Sequence, residues 1–232
     1  MALPRLVLFD LDGTLIDSQA GILGSLRHAF ARIEAKLPEE AVLRGWIGPP
    51  FHETFPQVLG DDEARIELAI AHYREHYEAS GWAEHEVYPG IADLIGALDA
   101  AGCQLAIVTT KIEPQARRIA AHLPFGGAFA RVYGAGHKTR HSAKAEMIAQ
   151  ALADFGTPPS GAVMVGDRHF DIAGARANDV RALGVSWGFG SVEELEDAGA
   201  HAIAASPAAL AELLLTGEAL SVPAGRASFP AV

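Results

Sequence analysis

The sequence predicts an α/β fold: a three-layer core on a mostly parallel sheet, with an all-helical unit inserted after the first strand. Three observations predict it. The apolar run Leu6-Val7-Leu8-Phe9 is short, branched and aromatic, and it ends in Asp10-Leu11-Asp12-Gly13-Thr14. Residues 17–86 then carry helical periodicity and no strand signal. From Tyr88-Pro89-Gly90 onward, strand-like apolar runs alternate with amphipathic helices, the pattern of parallel strands joined by crossover helices. One strand cannot make a sheet, so the first strand needs the second half of the chain. The expected division is a discontinuous core of residues 1–16 and 87–216 and a helical unit of 17–86. A loose tail of 217–232, rich in glycine, serine, alanine and proline, follows.

Taken in order, Leu6–Phe9 reads as a buried strand. Ile22, Leu23, Leu26, Phe30 and Ile33 recur at helical spacing, with Asp17 or Ser18 as the cap. A short helical stretch after Pro38 holds Val42, Leu43 and Trp46. The segment Ile47-Gly48-Pro49-Pro50-Phe51 is a stiff connection that no helix can continue through. Residues 51–59 are helical, and Asp61 caps a further helix with Ile66, Ile70, Tyr73 and Tyr77. The second half reads as helix 91–101, strand 103–109, helix 114–123, strand 129–133, helix 142–155, strand 162–165, helix 172–177 and strand 182–185. Helix 192–198, strand 202–204 and helix 208–215 complete the alternation.

Composition narrows the function. Of 232 residues half are hydrophobic, enough for a sizeable core. The formal net charge of −11 and pI near 5.3 exclude a broad basic surface for a nucleic-acid polymer. An anionic substrate must then be met by local cations, a metal or backbone N–H groups. Cys103 is the one cysteine and opens an apolar run; it reads as a buried, inert thiol, and the absence of disulfides fits a reducing cytoplasm. The chain starts directly on the first strand rather than on a signal peptide, and no stretch has the length of a membrane span. A monomer or a homodimer is expected.

Four groups fall at the ends of elements: Asp10 with Asp12, Thr109 after the strand, Lys144 near a helix start, and Gly166-Asp167-Arg168-His169-Phe170-Asp171 after Ala162–Val165. In a parallel sheet these ends share one edge, where open α/β sheets bind ligands. Two carboxylates as close as Asp10 and Asp12 require a cation or a shared proton nearby.

This set resembles the haloacid dehalogenase-like hydrolase superfamily, and within it the phosphoglycolate phosphatase-like and 5′-nucleotidase-like branch with a helical cap. The resemblance rests on Asp10-Leu11-Asp12-Gly13-Thr14-Leu15, the helical insertion, Val108-Thr109-Thr110-Lys111, a later lysine and Gly166-Asp167-x-x-x-Asp171, and it covers nearly the whole chain. It implies a Rossmann-like core under a cap domain. It implies Asp10 as nucleophile and Asp12 as general acid and base. Mg²⁺ would be held by Asp10, Asp12 (through its carbonyl) and Asp167, with Asp171 in support. Thr109, Thr110 and Lys144 would bind phosphate. Lys138 competes with Lys144 for the lysine role, and Lys111 lies close to Thr109; Lys144 is preferred because Lys144-Ala145-Glu146-Met147 looks like the family's lysine-bearing helix start. Alanine after that lysine replaces the frequent proline of the family, and Thr110 stands where many relatives carry asparagine.

Asp12 separates a phosphatase, whose leaving alkoxide needs a proton, from a dehalogenase, whose halide does not. The one cap lysine, Lys36, reads as solvated, which argues against Schiff-base chemistry. The resemblance implies hydrolysis of a small phosphorylated metabolite, with phosphoglycolate first and a nucleoside 5′-monophosphate close behind. A sugar-phosphate mutase and a non-catalytic binding protein on the same fold are the alternatives. Arg44, Pro49, Phe51 and His52 are the candidate specificity residues of the cap. Trp46, Phe51 and Phe55 read mostly as cap core, Trp187 and Phe189 as packing near the rim, and His137, His141 and His169 as solvated.

Overall fold

A computed structural model of the chain describes residues 3–136 and 144–220. In chain order the elements are β1 (Leu6–Phe9), β2 (Ile16–Asp17), α1 (Gln19–Arg32), α2 (Glu40–Gly45), α3 (Phe51–Thr54), α4 (Pro56–Leu59), α5 (Glu63–Ala79) and β3 (Glu86–Val87). They continue with α6 (Ile91–Ala100), β4 (Gln104–Ile112), α7 (Glu113–His122), β5 (Phe129–Ala135), α8 (Lys144–Phe155), β6 (Ala162–Gly166), α9 (His169–Arg176), β7 (Arg181–Val185), α10 (Val192–Asp197), β8 (Ala202–Ala204) and α11 (Pro207–Leu215).

Six strands form one sheet in the order β5-β4-β1-β6-β7-β8, parallel throughout. β1 is central because all four of its side chains are buried, and alternate residues serve opposite faces. Val7 and Phe9 pack with α6, α7 and α11 through Leu94, Ile119 and Leu210. Leu6 and Leu8 pack with α8 and α9 through Ile148 and Ile172. These are the three layers expected. Phe9 lies opposite Ile107 of β4 and Val165 of β6. Asp10 and Asp167 therefore leave the sheet at one edge, beside Thr109 of β4, at the point where the chain winds away on both sides of β1.

Helices α1 to α5 gather round a separate apolar centre of Leu26, Phe30, Trp46, Phe55, Ile70 and Tyr77. Aromatic contacts organise it: Phe30 meets Phe55 edge-on at 5.5 Å between centroids, and Trp46 lies 5.4 Å from Phe55. Such pairs add to simple area burial. The helical unit joins the sheet through β2 and β3, whose two-residue antiparallel ladder pairs Ile16 with Val87 and Asp17 with Glu86.

That ladder corrects the expectation of a strand-free stretch over 17–86. Two residues are too few for a period to show. The cap of α5 is Asp62, whose carboxylate accepts the Arg65 amide at 3.0 Å, and not Asp61. At α1, Asp17 rather than Ser18 supplies the local bond, accepting from the Gln19 amide at 2.9 Å. β4 runs on to Ile112, past the expected end at Thr109. Ala219 is fully buried in the main core, and residues 221–232 lie outside the described residues. Cys103 is buried, and burial pushes its thiol pKa up, as expected of an inert side chain. Among the described residues no helix is long and apolar enough to cross a membrane.

Candidate active site

Asp10 follows β1 on the face that Leu6 and Leu8 share, the face covered by α8 and α9. Each of those helices begins at the site. Lys144, the first residue of α8, places its ammonium 2.8 Å from Asp10 Oδ1 and 2.7 Å from Asp171 Oδ1, and donates to the Val108 carbonyl at 2.8 Å. The side chain is 3% exposed. Burial alone would lower the Lys144 pKa, but Asp10 and Asp171 more than offset it and the pKa is raised. Lys144 thus meets the acids of the site; Lys138, the competitor, lies outside the described residues together with His137 and His141.

Asp10, Asp167 and Asp171 are buried, and one oxygen from each falls within 4.8 Å of the others. Burial pushes the Asp10 pKa up, Lys144 pulls it down, and Asp171 and Asp12 push it up again, to about 6. Burial, then Asp10 and Asp171, push Asp167 well above the ordinary carboxylate range. Three buried acids against one lysine leave a negative excess, which suits a divalent cation with hard oxygen ligands. Asp12 does not join this cluster through its side chain.

Asp167 is held by two hydrogen bonds. Its Oδ1 accepts from the Thr14 hydroxyl at 3.1 Å and its Oδ2 from the Phe189 amide at 2.8 Å. The Trp187 indole N–H in turn donates to the Thr14 carbonyl at 3.1 Å. Gly13 turns the chain at φ +85°, where a side chain is strained. A Cβ at Gly188 would collide with the Asp167 Cβ and the Gly13 carbonyl. The Trp187–Gly190 loop, read from the sequence as packing near the rim, is therefore the scaffold of an acidic ligand. Asp171 is likewise fixed at the start of α9, its Oδ2 accepting the Arg168 amide at 3.1 Å.

Asp12 pairs instead with Lys111, Nζ to Oδ2 at 3.0 Å. Its Oδ1 is buried with no hydrogen-bond partner. Lys111 sits 4.6 Å from the centre of the Tyr77 ring on α5, so the helical unit supports the group that faces Asp12. Sequence reading placed Lys111 only as a neighbour of Thr109 and missed this pairing. The Thr109 hydroxyl accepts the Lys111 amide at 3.2 Å. Thr110, expected with the phosphate-binding residues, donates to the Gly48 carbonyl at 2.9 Å and lines the cleft with Asp12 and Lys111. Arg168 donates to the Ile47 carbonyl and pairs with Glu194 at 2.9 Å. These two bonds tie the Ile47-Gly48 loop of the helical unit to the sheet edge.

Pro49, Phe51 and His52 line the cleft between the helical unit and this edge. Arg44 does not: its side chain is 55% exposed and bonds Glu40 one turn back at 2.9 Å. His52 reaches Glu67 at 3.0 Å. Phe51 stacks on Phe55 at 4.8 Å, and Trp46 and Phe55 are cap core, as expected. Lys36 is exposed. His169 is not simply solvated, since its Nδ1 lies 2.6 Å from Glu194 Oε1.

The family model described as haloacid dehalogenase-like hydrolase matches residues 7–185. A 5′-nucleotidase of Pseudomonas aeruginosa is 41% identical over 189 residues, covering 82% of this chain and 86% of that protein. The tyrosine-protein kinase PtkA of Mycobacterium tuberculosis is 41% identical over 193 residues, covering 83% of this chain; the chain spans only 66% of the length of that relative. A crystal structure from Clostridium acetobutylicum, described as a "predicted phosphatase", superposes with a TM-score of 0.86 at 33% identity, covering 93% of this chain and 100% of that one. With the family model spanning most of the chain, and the acids, the lysine and the sheet edge arranged as above, this chain belongs to the haloacid dehalogenase-like hydrolase family.

Proposed function

We propose that the chain is a Mg²⁺-dependent phosphatase of small phosphomonoesters that works through an aspartyl-phosphate. The convergence of Asp10, Asp167, Asp171 and Lys144 at one sheet edge carries the reading. Asp10 is the nucleophile: a carboxylate oxygen attacks phosphorus, the ester oxygen departs, and water then attacks the phosphorus of the acyl phosphate. Asp12 is the acid and base. Its Oδ2 is held by Lys111, and its unpartnered Oδ1 is the atom that gives the leaving oxygen a proton and takes one from water. Lys144 neutralises Asp10 and Asp171 and brings positive charge to the transferring group. Thr109 and the backbone N–H groups after Asp10 hold phosphate oxygens.

Asp10 and Asp167 would hold the Mg²⁺, with the Asp12 carbonyl, and Asp171 supports the site. The chemistry the ion supplies when bound is charge neutralisation at the phosphoryl group and relief of the carboxylate repulsion. Residues 17–86 act as the cap that excludes water and selects the leaving group, over a core of 1–16 and 87–216. Phosphoglycolate and nucleoside 5′-monophosphates are the substrates to try first, and the cytoplasm is the proposed compartment.

Two results are expected here. Chelation abolishes phosphate release and added Mg²⁺ restores it; full turnover in metal-free buffer would sink the metal assignment. Replacing Gly188 by alanine displaces Asp167 without removing any ligand. A titration of activity against Mg²⁺ should then need about 10–100-fold more metal, the usual scale for disturbing the supports of a ligand. An unchanged titration in a folded variant would show that the loop does not position Asp167.

A second reading, transfer of the phosphoryl group to an acceptor other than water, is favoured by the 41% identity to a protein named a tyrosine-protein kinase. Free phosphate as the main product separates the two.

A further inference from the structure

Away from the sheet edge, the helical unit holds three imidazoles that the chemistry at Asp10 does not use. His72 and His76 lie one turn apart on α5 and so share a face of that helix. His28 of α1 meets them from the facing helix, its ring centroid 4.8 Å from that of His76 and 6.5 Å from that of His72. All three residues are partly buried. Two histidines four apart on one helix face can both reach a single zinc ion. A third ligand from the neighbouring helix leaves one position of a tetrahedral shell open.

The hydrogen bonds around the cluster decide which ring nitrogens are available. The Ser25 hydroxyl gives its one proton to the Gly21 carbonyl at 2.7 Å. Toward His76 Nδ1, 3.0 Å away, it can then only accept, so that nitrogen carries a hydrogen. His72 Nδ1 lies 3.3 Å from Glu75 Oε2, an acceptor, and carries a hydrogen for the same reason. In a neutral ring the lone pair is then on Nε2. His28 adds a third Nε2, which is buried with no hydrogen-bond partner. Buried polar atoms are almost always paired, and an orphan nitrogen next to two such rings points to a shared ligand. A hydrogen bond from the far ring nitrogen to a neighbouring oxygen is also the support that metal-bound histidines carry.

We propose that His28, His72 and His76 bind one zinc-like transition-metal ion through their Nε2 atoms, clamping α1 to α5. The three nitrogens do not converge as they stand: among the described residues only Asp10, Asp167 and Asp171 bring ligand atoms from three groups within 4.8 Å of one another. The ring spacing makes the adjustment small. With metal–nitrogen bonds of about 2.0–2.1 Å, two imidazoles on one tetrahedral ion stand about 5 Å apart between centroids. The two observed separations lie on either side of that value, and rotation about the side-chain torsions brings the nitrogens together. Imidazole suits zinc, copper and nickel, whereas carboxylate suits magnesium, so this cluster and the acids select different ions. The fourth position is left to water. The inference does not depend on the phosphatase reading.

The test is calorimetric titration of Zn²⁺ into the full chain at neutral pH, with Mg²⁺ saturating so that it competes at the acids. The wild type is compared with His28→Asn, His72→Gln and Ser25→Ala. One Zn²⁺ should bind the wild type, and each histidine variant should weaken it by at least about 10–100-fold, the scale on which loss of even an outer support acts. Ser25→Ala keeps all three ligands and should weaken it by about 10-fold, because the His76 tautomer is no longer fixed. Zn²⁺ should raise the thermal midpoint of the wild type more than that of His28→Asn. Circular dichroism and any Mg²⁺-dependent turnover should be unchanged in all three variants without Zn²⁺. His72→Gln, on the outer face of α5, serves if His28→Asn does not fold. Equal Zn²⁺ affinity in the wild type and the folded histidine variants would place the ion elsewhere and overturn the inference. No Zn²⁺ binding in the presence of Mg²⁺ would overturn it as well, leaving the three rings as packing between helices.

Discussion

Asp10→Asn is expected to abolish phosphomonoester turnover while leaving the fold intact. The loss should reach about four orders of magnitude or more, the scale on which removal of a covalent nucleophile acts. An asparagine oxygen can still lie beside Lys144, but it cannot attack phosphorus. The same substitution is not expected to destabilise the metal-free protein. Folding raises the Asp10 carboxyl from 3.8 to about 6, chiefly through burial. An acid with a raised folded pKa opposes folding when charged. The penalty is absent below the unfolded value, grows as pH rises between the two, and is complete above about 6. Its full size is at most about 3 kcal/mol. At neutral pH in chelator, the thermal midpoint of Asp10→Asn should therefore equal or exceed that of the wild type. Saturating Mg²⁺ should raise the wild type more than the variant, which lacks one charged ligand. A variant that turns over normally, with unchanged circular dichroism, would remove Asp10 from the nucleophile role.

Lys144→Met should have the largest effect on stability. The ammonium is the shared partner of Asp10 and Asp171, at 2.8 and 2.7 Å, and all three side chains are buried. Methionine fills most of the same volume, so the loss is electrostatic rather than a cavity. Removing one side of a buried ion pair leaves uncompensated charge and costs about 3–5 kcal/mol. For a chain of this size that corresponds to a fall of about 10 °C in the thermal midpoint. Mg²⁺ should recover part of the loss, because a divalent cation meets the same carboxylates. Activity should fall even at saturating metal, since the positive charge against the transferring group is gone. A midpoint unchanged from wild type in chelator would mean that the acids do not depend on Lys144.

Much of this site is legible in the sequence because its chemistry sits where elements end. Asp10 follows a four-residue apolar strand, Asp167 follows β6, and Lys144 opens a helix whose apolar period is plain, so parallel topology alone brings them to one edge. What is not legible depends on side-chain direction and on loops. Thr109, Thr110 and Lys111 look alike as neighbours at a strand end. Yet one hydroxyl stays local, the next bonds Gly48 in the helical unit, and the lysine turns to Asp12. Strand alternation continued by an irregular β4 decides which goes where. Trp187 and Phe189 look like packing residues because their useful groups are an indole N–H and a backbone amide. Neither announces its target: Thr14 lies 173 residues from Trp187, and Asp167 lies 22 residues from Phe189. Arg44 and His52 are both polar cap residues in sequence; only folding puts His52 on the cleft and ties Arg44 to Glu40 outside it. β2 and β3 were invisible because a two-residue ladder has no period.

The most direct measurement is to quench the enzyme during turnover of a hydrolysed phosphomonoester, reduce with borohydride, and map the product by mass spectrometry. An acyl phosphate on a carboxylate is reduced to the corresponding alcohol, so the account predicts homoserine at residue 10. It should form only when both substrate and Mg²⁺ are present, and not in Asp10→Asn. Rapid phosphate release with an unmodified Asp10 peptide, or with the reduced residue at another position, would contradict it.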